Sequence, residues 1–83
     1  HYRKYIMDKT ILLKALQSQY QGQIDVALAN IEVYIHNPAG IGEHPDLADA
    51  LDSQIEALTS SKEKHDTVSD LLKERVQQKT LVG

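Results

Sequence analysis

Apolar residues in the first half of the chain fall in steps of three and four, at Leu13, Leu16, Tyr20, Ile24, Leu28, Ile31 and Ile35. Steps of that size put side chains on one face of a helix. Between Arg3 and His36 there is no proline and one glycine, so the pattern predicts a first helix over about residues 3–36. Leu13, Ile24 and Ile35 recur at intervals of eleven, as do Tyr20 and Ile31. That period is nearer about 3.67 residues per turn than the heptad's 3.5 and predicts a nearly straight helix. Asn37-Pro38 ends it, because proline disfavours helical geometry in the residue before it and has no N–H to donate.

The segment from Asn37 to His44 supplies a specified turn. Pro38 fixes one φ, Gly40 and Gly42 can take positive φ, and Ile41 is the expected pivot. Pro45 then suits the first position of a second helix, where a missing N–H costs nothing. Asp46, Asp49 and Asp52 lie in its first turns and Lys73, Arg75 and Lys79 in its last, which complements the helix dipole at both ends. The second helix is expected over about 45–79. Its seam reads Leu51, Ile55, Leu58, Lys62, His65, Ser69, Leu72 and Val76, apolar at the ends and polar in the middle.

These elements predict an all-α fold, a long antiparallel two-helix hairpin forming one domain over residues 1–83. With a pivot at Ile41, Ile31 falls beside Leu51, Ile24 beside Leu58 and Tyr20 near Lys62, so the polar stretches of the two helices coincide. Each helix then has one neighbour and covers one stripe. Ile11, Leu12, Val33, Val68 and Leu71 fall off that stripe and form a second apolar surface. Self-association is therefore expected, most simply as a dimeric four-helix bundle. Lys62 and His65 at the waist are expected to penalise shifted registers, as buried polar groups do in coiled coils.

Composition narrows the functional classes. A chain of 83 residues without internal repeats has room for one small domain. It has no cysteine, which excludes disulfides, thiolate metal sites and a cysteine nucleophile, and an intracellular or virion setting is expected rather than secretion. The net charge of −3 gives no global field to attract nucleic acid. No uncharged run approaches the ~20 apolar residues that cross a bilayer, so no membrane partner is expected. The opening at His1 rather than methionine is expected of a trimmed or tag-derived start.

Candidate chemistry is sparse. Glu32 and His36 are one helical turn apart, and Glu43 and His44 lie across the turn; two imidazoles and two carboxylates are ligand types for a divalent metal. No His-Glu-x-x-His or Glu-x-x-His spacing supports them. A phosphate loop at Gly40-Ile41-Gly42 is opposed by Glu43, Asp46 and Asp49, and no Lys or Arg occurs between Lys14 and Lys62. His65, Asp66 and Ser69 are the residue types of a hydrolase triad, but adjacent helical positions point about 100° apart. No catalytic residue and no cofactor site is assigned. The basic-aromatic segment Tyr2-Arg3-Lys4-Tyr5 is the one candidate for nucleic-acid contact.

The run Asn30-Ile-Glu-Val-Tyr-Ile-His-Asn-Pro-Ala-Gly-Ile-Gly-Glu-His-Pro-Asp-Leu47 resembles a stretch found in small uncharacterised proteins of large contractile-tailed phages, marine and cyanobacterial ones included, and of marine metagenomes. Ala50-Leu-Asp-Ser-Gln-Ile-Glu-Ala-Leu58 resembles the same group more loosely. The resemblance implies a phage-encoded protein and carries over no catalytic or binding residue. It draws attention to the turn, since a loop held by rigid helices is a common place for function. The leading expectation is a non-catalytic, homo-oligomeric interaction protein that presents Asn37, Pro38, Gly40, Ile41, Gly42, Glu43 and His44 to a protein partner. The alternative is an accessory nucleic-acid-binding protein that uses the N-terminal basic residues of the oligomer.

Overall fold

A computed structural model describes residues 10–40 and 44–82, with side chains placed over 10–39 and 46–75. Helix α1 spans Ile11–His36, a single 3-10 turn spans Pro38–Gly40, and helix α2 spans His44–Val82. The two α-helices pack against each other as a hairpin, and no strand occurs among the described residues. α1 stops at His36, immediately before Asn37-Pro38, and the Asn37 N–H donates to the Val33 carbonyl at 2.8 Å. At the other end the Lys14 N–H donates to the Thr10 carbonyl at 2.9 Å. α2 opens at His44-Pro45 with Asp46 in its first turn, favourable for the positive end of the helix dipole. Residues 1–9, of which the first helix was expected to include 3–9, lie outside the described residues.

The expected seam is corrected in its frame. Besides Asn30, the half-buried or buried positions on α1 are Leu13, Gln17, Tyr20, Ile24, Ala27, Ile31 and Tyr34, which alternate steps of four and three. This is the seven-residue rhythm of a coiled-coil stripe rather than the eleven-residue rhythm of the aliphatic residues alone. Leu13, Tyr20, Ile24 and Ile31 lie on it, whereas Leu16, Leu28 and Ile35 are exposed. On α2 the stripe runs through Leu47, Leu51, Gln54, Leu58, Ser61, His65, Val68 and Leu72. Leu51, Leu58, His65 and Leu72 fall as expected and Ser69 is half-buried; Ile55 and Lys62 are exposed, their places taken by Gln54 and Ser61, and Val68 is buried beside Ser69. The side chain of Val76 lies outside the described residues.

The register moves with the frame. Asn30 Nδ2 donates to Gln54 Oε1 at 3.1 Å, Ser61 Oγ to Gln23 Oε1 at 3.1 Å and Gln17 Nε2 to Ser69 Oγ at 2.9 Å. Each pair is centred on position 42 or 43, not on Ile41, so Ile24 sits level with Ser61 and Tyr20 level with His65. The Lys64 ammonium, 5.7 Å from the centroid of the Tyr20 ring, belongs to the same register. The Tyr20 face attracts that charge by roughly 0.5–1 kcal/mol at an exposed site.

Lys62 is thus not a seam residue, and Lys62→Leu should leave the melting temperature within a few degrees of the parent, because exposed substitutions change stability by only about 0.5 kcal/mol. His65→Leu, at a half-buried position facing Tyr20, should raise it by roughly 4–8 °C for about 1 kcal/mol gained. Thermal circular dichroism on the two variants distinguishes the frames; equal shifts would contradict the one described.

The seam is thin. Among the described residues the buried hydrophobic side chains are Ala27, 1% exposed, and Val68, 6% exposed, with Ser61 the buried polar one. The molecule measures 59 × 29 × 15 Å. Its shortest dimension is little more than a helix with its side chains, about 10–12 Å. One layer of helix cannot cover its own two faces.

Candidate interaction surface

The turn contributes little that is placed. Asn37, Pro38 and Ala39 are exposed, and Gly40 closes the 3-10 turn. Ile41, Gly42 and Glu43 and the side chain of His44 lie outside the described residues, as do Tyr2, Arg3, Lys4 and Tyr5. Of the metal candidates, Glu32 and His36 are brought together: His36 Nε2 lies 3.2 Å from Glu32 Oε1, both side chains well exposed. No group of three or more His, Cys, Asp or Glu side chains converges among the described residues. His65 Nδ1 lies 3.7 Å from Asp66 Oδ1, but Ser69 turns away to accept from Gln17 across the seam. The triad types therefore do not assemble.

What the hairpin does assemble is an uncharged flank. Seven-residue spacing puts Leu12, Gln19, Val26 and Val33 in one row of α1, with Leu16 and Gln23 beside them and Ala15, Gly22 and Ala29 on the other side. All of these positions are exposed, Leu12 at 69%, Val26 at 60% and Val33 at 55%. None carries a charge; Lys14, Asp25 and Glu32 occupy other rows of α1. At the middle of this flank Gln19, Gly22, Gln23 and Val26 border an open groove of about 450 Å³, closed on the inner side by Ala27, Gln54 and Ala57. A Cβ added at Gly22 would meet nothing within 4 Å.

Folding also segregates charge. The half nearer the turn, residues 24–61, contains Asp25, Glu32, Glu43, Asp46, Asp49, Asp52 and Glu56 and no Lys or Arg, a formal charge of −7. Among the described side chains the open half holds Lys14, Lys62, Lys64, Lys73 and Arg75 against Glu63, Asp66, Asp70 and Glu74, which nearly balance. The hairpin's negative charge is thus concentrated toward its turn end.

The exposed flank was partly visible in the sequence, where Ile11, Leu12 and Val33 fall off the aliphatic seam; Val68, grouped with them, is buried instead. Val26 was missed because its neighbours on the flank are glutamines, glycine and alanines rather than aliphatics.

No family model, no curated protein and no solved structure matches this chain. No helix among the described residues is long and apolar enough to cross a membrane.

Proposed function

We propose that this chain is a non-catalytic interaction protein that works as a self-associated helical hairpin, two copies forming a four-helix bundle that presents its turn ends to a protein partner. One observation carries the reading: Ile11, Leu12, Leu16, Val26, Leu28, Val33, Ile35 and Ile55 are all exposed, whereas among the described residues Ala27 and Val68 are the buried hydrophobic ones. Apolar surface left in water favours association by roughly 25 cal/mol per Å² removed. A helix pair of this thickness cannot bury it internally. The likeness of residues 30–47 to phage-encoded proteins adds the setting, a virion or an infected cell.

Sedimentation velocity at micromolar concentration tests this. The expected result is a species of twice the mass of the 9.3 kDa chain. A stable, fully helical monomer would overturn it. A second reading, nucleic-acid contact by the N-terminal basic residues of the oligomer, is favoured by the confinement of the described Lys and Arg side chains to the open half, none occurring between Lys14 and Lys62. It expects a gel shift with short duplex DNA that disappears as salt rises, because phosphate contacts release counterions; no shift at low salt removes it.

A further inference from the structure

We propose that the uncharged flank of α1 is the contact between two copies of this chain, and that the copies run antiparallel. The proposal rests on the self-association reading above and names its face and polarity. In a two-fold contact the same patch meets itself, so its pattern must be complementary to its own reversal. The row Leu12, Gln19, Val26, Val33 meets that condition about a centre between Gly22 and Gln23. Reversed on itself, it sets Leu12 against the partner copy's equivalent of position 33 and Val26 against that of position 19.

Gly22 sits at that centre. A glycine inside an exposed helix costs roughly 1 kcal/mol relative to alanine, and nothing in the hairpin requires one, since the space where its Cβ would stand is open. A second helix crossing there would find the backbone unobstructed. Ala15 and Ala29, one heptad away on either side, keep the approach narrow along the face.

Charge selects the polarity. Antiparallel copies lay the −7 half of one over the nearly balanced open half of the other, whereas parallel copies stack −7 on −7. Charge and pattern also reject the opposite flank as the two-fold contact. Leu28, Ile35 and Ile55 are exposed there, but all belong to the acidic half. Reversing that flank's α1 row on itself would set Ile35 against Lys14.

The chain contains no cysteine, so single introduced thiols report the contact without background. Leu12→Cys and Val33→Cys proteins are each oxidised alone and as an equimolar mixture, and Gly22→Cys is oxidised alone. All three positions are exposed and leave the seam intact, which circular dichroism verifies. The expected main products are the mixed Leu12→Cys/Val33→Cys disulfide, identified by mass, and the Gly22→Cys homodimer, with little homodimer from the other two alone. A disulfide needs Cα atoms about 4.4–6.8 Å apart, so the Gly22→Cys product also reads the close approach. Homodimers of Leu12→Cys and of Val33→Cys without the mixed product would mean parallel copies. No linkage in a protein that sediments as a dimer would place the contact on another face. Either result overturns the proposal while sparing the self-association reading; a monomer in sedimentation overturns both.

Discussion

Ala27→Glu is expected to open the hairpin. Ala27 is the most buried residue described, at 1% exposure, and packs where the helices approach beside Gln54 and Ala57. A glutamate there must either bury an unpaired carboxylate or push the helices apart. An uncompensated buried charge costs about 3–5 kcal/mol, a large share of what a small domain has in total. Thermal circular dichroism should show the melting temperature falling by more than about 10 °C, at roughly 4–8 °C per kcal/mol. Ser18→Glu, an exposed position on the same helix, serves as the control and should melt close to the parent. If Ala27→Glu melts within a few degrees of that control, Ala27 is not at the helix contact.

The second large effect is in the opposite direction. Gln17, Gln54 and Ser61 occupy three seam positions where a coiled coil gains most from apolar side chains. Their partners Ser69, Asn30 and Gln23 retain access to water and can hydrate once released. The triple variant Gln17→Leu/Gln54→Leu/Ser61→Ala should therefore raise stability by about 2–4 kcal/mol, near the transfer value of two buried leucines. Alanine is used at 61 because the site holds a small buried side chain and a leucine would overpack it. The gain should come with a loss of register, since hydrogen bonds between fixed pairs no longer penalise a slip of one heptad. Spin labels at exposed Glu32 and Asp52 should give one narrow distance in the parent and a broadened distribution in the variant. A variant that is less stable than the parent would show that the polar pairs hold the hairpin together rather than specify its register.

The fold was legible in the sequence because its strongest signals are local. Asn37-Pro38 stops one helix, Pro45 with Asp46 suits the start of the next, and helical periodicity runs between these punctuation points. The frame of the seam was less legible, for a physical reason. Two stripes compete on each helix, and the more aliphatic one is not the one buried. Leu16, Leu28 and Ile35 lost their places to Gln17, Ala27 and Tyr34, and Ile55 to Gln54. Helices that pair through polar hydrogen bonds and one small side chain leave larger aliphatics outside, and a pattern search weighted by hydrophobicity selects those. The same inversion hid Val26 and the uncharged flank. The turn from Asn37 to His44 lies largely outside the described residues, so the expectation that it meets a partner rests on sequence.

On the proposed self-association, a hairpin whose aliphatic surplus faces outward is half of a folding unit, and its stability is expected to depend on concentration. Thermal melts across about a hundred-fold range of concentration measure that dependence directly, since mass action over this range supplies roughly 2.7 kcal/mol to a dimer. The melting temperature should rise by roughly 5–10 °C from the most dilute sample to the most concentrated. A midpoint that stays constant across the whole range would mean that the single chain is complete by itself.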